Sequence, residues 1–422
     1  MRALLEESFR AAVAAADPAR ILAPALPPPP KGRSYVAAIG KAAASMAAAL
    51  EAAWPGAAPL EGIALTRYRH AVPTRRIRVV EAGHPVPDAA GEAAAREILA
   101  AAAALGGDDL LIALVSGGGS SLLALPLEGL SMDDLKTVTA QLLKSGAPIQ
   151  DINTVRKHLS AIQGGRLAAA CRAPVHALII SDVTGDAPTH IASGPCAPDP
   201  TTFDDALAVL DRYGVTPPPA VAEYLARGAA GSVPETPKPG GTTLAHATNR
   251  VIATAHRSLE AAAEIFRAAG VTPAILGDTV TGEAQEVAKV MAALVREIRA
   301  YRAPFAPPVA LISGGECTVT IAGGGGRGGR CGEFLLALAT ELDSVAGVHA
   351  IAADTDGIDG SEDNAGAVLM PDALGRARGL GLDAARCLAA HDSYGFFAAL
   401  GDLVVTGPTY TNVNDYRAIL VA

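Results

Sequence analysis

The sequence predicts an α/β fold: a parallel sheet covered by helices in an N-terminal unit, followed by a second, smaller α/β unit. Three observations carry that prediction. Short apolar runs alternate with alanine-rich helical stretches through most of the 422 residues, the pattern of strands buried by helices on both faces. Two apolar runs, Leu110–Val115 and Val309–Ile312, end alike, in Ser116-Gly117-Gly118-Gly119-Ser120-Ser121 and in Ser313-Gly314-Gly315-Glu316. From Pro217 to Gly241 the periodic pattern yields to Gly, Pro, Ser and Thr, which divides the chain into residues 1–240 and 241–422.

Taken in order, Met1–Phe9 carries Glu6 and Glu7 where a signal peptide needs apolar residues, so it reads as an amphipathic helix. Pro27–Pro30 is a stiff connector into a strand at 35–39. Strands are expected near 61–65, 77–80, 110–115 and 175–180, with helices at 41–53, 88–105, 131–144 and 153–171. Beyond the break the order is strand 243–253, helix 255–269, strand 272–276, helix 281–302, strand 308–312, helix 333–342 and strand 348–353. The glycine-rich run Gly323–Arg330 reads as a flexible linker or, through Arg327 and Arg330, as an anion clamp. Residues 403–417 end in small polar groups that suit ligand contact better than a core, and are expected to pack back toward the cleft.

Composition narrows the function. A net charge of −9 argues against a general nucleic-acid or membrane-surface binder, which needs a basic field. No apolar run approaches the roughly 18 residues of a membrane span. Five cysteines without a Cys-x-x-Cys pair argue against structural zinc and a disulfide scaffold, and fit a reducing, cytoplasmic setting. Nothing in the sequence sets the number of copies, so a homodimer stays open.

The glycine loops carry the chemistry. A buried strand ending in glycines and hydroxyls before a helix is built to hold an anion, because backbone N–H groups converge on phosphate oxygens and the helix adds its positive end. Ser116, Gly117, Gly118, Gly119, Ser120 and Ser121 are expected to cradle phosphate, and Ser313, Gly314, Gly315 and Glu316 likewise; an ordinary turn is the alternative for each. Lys41 follows Ile39-Gly40 and can reach the carboxyl edge of the sheet, the usual ligand location in such folds. Tyr35 stands where a Walker A loop has its first glycine, so this is not a P-loop. Arg156-Lys157-His158 is either a cationic face for substrate carboxylate or nucleotide, or a solvated helix face.

Two acidic loops also end strands, Asp182–Asp186 and Asp354-Thr-Asp356-Gly-Ile-Asp359-Gly360. Magnesium takes one or two carboxylates with waters and substrate phosphates, so Asp186, Asp354 and Asp356 are candidate ligands, with turn formation as the alternative. An EF-hand reading fails, since Ala365 stands at the closing Glu. A dinucleotide fingerprint fails at the first loop, where Leu122 replaces the third glycine. Gly323, Gly325 and Gly328 match it formally, but the helix is expected only near Glu333, and Asp343 precedes the next strand instead of ending it.

Ile39-Gly-Lys41, Ser116–Ser121, Arg156–His158, Ser181–Asp186 with Ser193-Gly-Pro195, Ser313–Glu316, Gly328-Gly-Arg330, Asp354–Gly360 and the ending Gly407-Pro-Thr409 through Thr411–Asp415 resemble, in this order and over nearly the whole chain, the class II glycerate 2-kinases. The resemblance implies a Rossmann-like N-terminal domain, a C-terminal MOFRL domain and an active site in the interdomain cleft. It also implies transfer of the γ-phosphoryl group of ATP to the 2-hydroxyl of D-glycerate, giving 2-phosphoglycerate, with Lys41 and Arg330 as the central cations. Mg²⁺ is expected near the acidic loops, and Asp182 is expected to orient or deprotonate the hydroxyl. Members of this family also carry the name hydroxypyruvate reductase, which makes NAD(P)H-dependent reduction the alternative. One departure stands out: Cys331-Gly332-Glu333 follows Gly-Gly-Arg where the family usually has Asn-Gln-Glu, so any amide contacts from those positions are absent here.

Overall fold

Apolar runs with no charged residue become the central strands of the first sheet. In the computed structural model, which describes residues 1–321, 326–343 and 345–422, the chain forms two units, Pro18–Ile252 and Met1–Asp17 joined with Ala253–Ala422. The unit Pro18–Ile252 is built on β1 (Ser34–Ile39), β2 (Leu60–Arg67), β3 (Ile77–Ala82), β4 (Leu110–Val115), β5 (Val175–Ile180) and β6 (Ala247–Ala253), in the order β3-β2-β1-β4-β5-β6. The pairs β3-β2, β2-β1, β1-β4 and β4-β5 are all parallel. Every residue of β1 and of β4 is buried, so neither strand alternates.

This is a Rossmann-like order. The chain grows outward through β2 and β3, then returns to place β4 on the other side of β1, with Ile39 opposite Val115. The crevice beyond the carboxyl ends of β1 and β4 is where such a sheet binds ligands. The helix Ala89–Ala103 starts at Asp88, whose carboxylate accepts the Gly91 N–H, and buries Ala94, Ala95 and Ile98 against the sheet. A separate helical core joins Met132–Lys144, Ile149–Leu159, Phe203–Arg212 and Pro219–Ala229 through Leu142, Val155, Phe203, Val209 and Leu225. Truncating a fully buried leucine such as Leu111 or Leu142 to alanine is expected to cost about 2–5 kcal/mol.

The second unit has a mixed sheet. Its strands are β7 (Thr272–Gly277), β9 (Val309–Ser313), β11 (Val348–Asp354), β12 (Gly366–Leu369), β13 (Leu403–Val404) and β14 (Asp415–Val421), with a small parallel ribbon of β8 (Gly282–Glu283) and β10 (Cys317–Thr318) beside them. The order is β13-β12-β11-β14-β9-β7, and only β7-β9 is parallel. Helices Ala284–Tyr301 and Arg330–Leu342 cover one apolar cluster of this sheet, while Arg2–Ala14 and Ala255–Ala268 cover another. Leu5, Phe9 and Ala12 of the first helix pack there with Leu259 and Phe266, and Tyr416 Oη donates to Ser8 Oγ at 2.7 Å.

Several expectations are corrected. The first helix belongs with residues 253–422, because its apolar stripe is buried by the second sheet's layer rather than the first. Strand 247–253 completes the first sheet, so the Pro/Gly-rich stretch 217–241 lies within one unit instead of dividing two. The helix expected at 153–171 stops at Leu159 and resumes at Arg166; Ser160 Oγ accepts the N–H groups of Ile162 and Gln163, which competes with helix continuation. The ending 403–417 supplies edge strand β13 and the start of β14, a strand buried along its whole length.

Candidate functional site

Hydrogen bonds stitch the loops after β1 and β4 together at the point where the strand order reverses. Ser116 N–H donates to Ile39 O at 2.9 Å, and Lys41 N–H donates to Gly117 O at 2.8 Å. Ser116 Oγ accepts the Ala42 N–H at 3.1 Å, fixing the start of the helix Ala43–Ala53. Gly118 has φ +80, and a Cβ there would stand 3.0 Å from His84 Nε2 and 3.2 Å from Lys41 Cγ. A left-handed backbone and two approaching side chains therefore both call for glycine. The helix that follows, Gly119–Leu122, is a single turn, so the positive helix end expected here is weak. Ser120 Oγ lies 2.8 Å from Ser193 Oγ, and the Gln163 amide donates to Ser120 O at 2.8 Å.

A cavity of about 460 Å³ opens beside this loop. Gly118, Ser120, Ser121 and Asp182 line it, with apolar surface from Leu135, Leu143 and Ile149 of the two neighbouring helices. Arg156 lines it too, but the other two members of its basic triplet do not. Lys157 is fully buried in an ion pair with Asp199 at 2.6 Å, and His158 bonds Thr154 O at 2.8 Å and Glu235 at 3.1 Å. These two hold the helical core together. Asp186 is absent from the lining and sits in a tight turn at φ +52, its N–H bonded to Val183 O. His84 and His190 also face the cavity; burial and the nearby Lys157 hold His190 below its ordinary value, so it is neutral at pH 7.

The loop after β9 is built differently. Gly314 N–H is spent on Gly277 O at 2.9 Å, while the Gly314 and Gly315 carbonyls accept from Arg417 Nη2 at 2.5 and 3.3 Å. Glu316 then leads into the strand β10 instead of a helix. Carbonyls turned to an arginine do not cradle phosphate, so the parallel drawn from Ser313, Gly314, Gly315 and Glu316 is one of letters.

Arg330 is the first residue of the helix Arg330–Leu342, three residues earlier than the pattern suggested. Its Nε donates to both Asp415 oxygens at 2.9 and 3.0 Å, Nη2 to Asp354 at 2.6 Å, and Nη1 meets Glu316 at 3.2 Å. Burial works against the charge, but Asp415, Asp354 and Glu316 outweigh it and keep the guanidinium firmly protonated. Asp354 Oδ1 accepts the Asp356 N–H at 2.9 Å, and Asp356 Oδ1 accepts the Ile358 N–H at 2.9 Å. Asp359, fully buried, accepts the N–H groups of Cys331 at 3.0 Å and Gly332 at 2.8 Å and thereby caps the helix that carries Arg330. Burial pushes its carboxyl up to about 6 despite those two bonds. The loop 354–359 is thus organised around Arg330, and Asp354, expected as a magnesium ligand, is already engaged by that guanidinium. Among the described residues no group of three or more His, Cys, Asp or Glu side chains could hold a metal ion.

At the departure from the usual Asn-Gln, Cys331 is buried and a Cβ at Gly332 would meet Ser393 Oγ at 2.6 Å. The site therefore has no room for a larger residue at 332 without moving Ser393. Gly323 and Gly325 of the formal dinucleotide match lie outside the described residues. The helix begins two residues after Gly328 and β11 ends on Asp354, closer to that fingerprint than the sequence suggested. Yet β14 runs between β9 and β11, whereas the fingerprint needs adjacent parallel strands, and Asp354 is paired with Arg330.

The expected residues therefore fall into two groups. Lys41, the loop 116–121 and Asp182 share one unit; Glu316, Arg330, Asp354 and Asp356 share the other. Sequence reasoning passed over His84 and Gln163, and it named Asp359 and Asp415 only as members of longer motifs, without a role of their own. His84 had a signal, its place just beyond β3; the pairing of Asp415 had none, since its partner lies 85 residues away. No described helix is long and apolar enough to cross a membrane.

Comparison with known proteins agrees along the whole chain. Residues 4–226 match the model of a domain of unknown function, DUF4147, and residues 309–415 match the MOFRL family. An Agrobacterium vitis protein provisionally named a hydroxypyruvate reductase is 52% identical over 100% of this chain and 94% of its own. The glycerate 2-kinase of Pyrococcus horikoshii is 40% identical over 93% of this chain and 88% of its own. The crystal structure of a Thermotoga maritima glycerate kinase superposes with a TM-score of 0.88 at 36% identity, covering 100% of this chain and 99% of that one. Motif order, paired domains and full-length similarity together place this chain in the class II glycerate 2-kinase family.

Proposed function

We propose that this protein is a glycerate 2-kinase that transfers the γ-phosphoryl group of ATP to the 2-hydroxyl of D-glycerate. The observation that carries the reading is the cavity beside the loop after β4, where Gly118, Ser120, Ser121 and Asp182 meet an apolar wall of a size that takes a nucleotide, with the stem of Lys41 lying against Gly118. Relatives named glycerate 2-kinase support it, at 40% and 38% identity over most of their length. The name hydroxypyruvate reductase is not matched by a nicotinamide fold: Leu122 blocks the fingerprint at the first loop, and β14 interrupts it at the second.

Phosphoryl transfer asks a protein mainly for in-line positioning and charge neutralisation. The loop Ser116–Ser121 holds the nucleotide phosphates and Lys41 neutralises the transferring group. Arg330 serves the same reaction, held rigid by Asp354, Asp415 and the Asp359 cap. Asp182, on the cavity wall, orients the glycerate hydroxyl and accepts its proton as the bond to phosphorus forms. Of the acidic loop Asp182–Asp186 only Asp182 lines the cavity, so Mg²⁺ would be held there largely by substrate phosphates and waters, with few carboxylates from the protein. When bound, the ion would neutralise phosphate charge. A coupled assay tests the proposal, pairing D-glycerate with ATP in one arm and hydroxypyruvate with NADH in the other. Product phosphorylated at the 2-position is expected, and NADH oxidation without phosphoryl transfer would overturn it.

A further inference from the structure

Arg156 is a cation that the protein itself leaves unanswered. Its Nε donates to Thr139 Oγ1 and its Nη1 to Asn153 Oδ1, both at 3.3 Å and both neutral groups. No carboxylate pairs with it among the described residues, although the next two residues on its helix are matched, Lys157 by Asp199 and His158 by Glu235. Burial alone pulls the Arg156 guanidinium down to about 10, with no compensating charge. Arg156 is partly buried and stands on the cavity wall, so an anionic group entering the cavity would supply the partner that the protein does not.

The surroundings point the same way. Two of the five guanidinium N–H groups are used, which leaves three in the planar fork that matches two oxygens. Asn153 Oδ1 is occupied by Arg156, so the amide of this cavity-lining residue has its donor side left to offer. Lys136 lines the same cavity and also has no carboxylate partner among the described residues. Asp182 is the one acidic residue on the wall.

We propose that Arg156 is an anion-binding residue of this cavity, taking a phosphate or carboxylate group of a bound substrate. The proposal rests on the kinase reading, whose two substrates each carry such a group: the nucleotide its phosphates, glycerate its carboxylate. Calorimetric titration of wild type, Arg156→Gln and Arg156→Lys with MgADP and separately with D-glycerate tests it, alongside the melting temperature of each ligand-free protein. In Arg156→Gln one ligand should bind at least about tenfold more weakly, and Arg156→Lys should restore part of that loss. A loss confined to MgADP assigns the phosphate, and a loss confined to glycerate assigns the carboxylate. Because the substitution removes an uncompensated charge, ligand-free Arg156→Gln should melt at or above the wild-type temperature.

Affinity within twofold of wild type for both ligands overturns the proposal. So does weakened binding with a melting temperature several degrees lower, which would make Arg156 a structural residue. Wild-type protein that binds neither probe overturns it as well. Arg156-dependent MgADP binding without phosphoryl transfer to glycerate would overturn the kinase reading and leave the anion site standing.

Discussion

The loops after β4 and β9 begin with the same three letters, Ser-Gly-Gly, and open onto opposite electrostatics. Beside the first, Arg156 and Lys136 face a cavity whose wall has a single acidic residue. Beside the second, Arg330 and Arg417 are enclosed by Asp354, Asp415 and Glu316, so the charges are answered within the protein. The difference comes from the neighbouring strand. Next to β4 stands the parallel β1, whose own end supplies Gly40 and Lys41; next to β9 stands the antiparallel β14, which brings Asp415 and Arg417. A glycine motif acquires its chemistry from the strand placed beside it.

The sharpest way to break this contrast is to remove one cation from each region. Lys41→Ala and Arg330→Ala should each cost on the order of 3–5 kcal/mol in transition-state stabilisation, read as single-turnover phosphate transfer. Only Arg330→Ala should also cost the fold a comparable 3–5 kcal/mol in denaturant unfolding, because Asp354 and Asp415 stay buried without their partner. Arg330→Lys should recover little of either, since a point charge cannot serve three carboxylates in a plane. If both alanine variants keep more than about a tenth of the wild-type rate, less than roughly 1.4 kcal/mol was lost and neither residue is central.

Proton linkage tests the enclosed region next. Burial raises the Asp359 carboxyl to about 6 against an unfolded value of 3.8, so the folded state holds that proton more tightly. Its contribution is complete below about pH 3.8 and is lost as pH rises through about 6. The stability of wild type relative to Asp359→Asn should therefore fall between pH 4 and pH 7, by at most about 3 kcal/mol. A pH-independent difference between the two proteins would show that Asp359 does not titrate in this range.

Glycine replacements compare the two loops directly. At Gly315, φ is +97 and a Cβ would collide with the Val280 backbone, so Gly315→Ala should lower stability by about 2–3 kcal/mol in thermal unfolding. At Gly118 the added Cβ meets side chains, those of His84 and Lys41. Gly118→Ala should cost only about 1–2 kcal/mol of stability, chiefly from its backbone conformation, while lowering kcat/KM some ten- to a hundredfold. Equal stability losses in the two variants would remove the distinction. The smallest effect concerns metal: Asp186→Asn should raise the Mg²⁺ needed for half-maximal rate severalfold, whereas Asp354→Asn should leave it unchanged and lower the melting temperature instead. The reverse outcome would move magnesium to the loop after β11.

The first sheet was legible because its information is local. β4 is an uninterrupted apolar run, β1 and β5 depart from one only at Ser34 and His176, and Lys41 and the loop 116–121 sit just beyond strand ends. What stayed hidden depends on distant partners. Asp415-Tyr-Arg417 looks like a polar tail until Arg330, 85 residues earlier, and the carbonyls of Gly314 and Gly315 neutralise it, which allows β14 to run through the sheet interior. The helix at Arg330 reads as loop because its cap, Asp359, comes nearly thirty residues after its first turn. Arg156, Lys157 and His158 are consecutive, yet only the structure separates the one that faces the cavity from the two that hold the core.

The path of the chain also sets a timetable. The helix Arg2–Ala14 has Leu5, Phe9 and Ala12 on the face that packs with Ala255–Ala268 and β14. At the usual 5–20 residues per second, the roughly 240 residues separating it from that helix take on the order of 10–50 s to synthesise. Thirteen residues are too few to hold a stable helix alone in water. During that interval the unit Pro18–Ile252 can complete its own sheet, while the opening segment waits with its greasy side bare. A chain halted before the helix Ala255–Ala268 has formed therefore displays a short hydrophobic handle, whether or not the unit Pro18–Ile252 is finished, and a chaperone or protease can tell it by that handle from a chain in which the opening helix is covered.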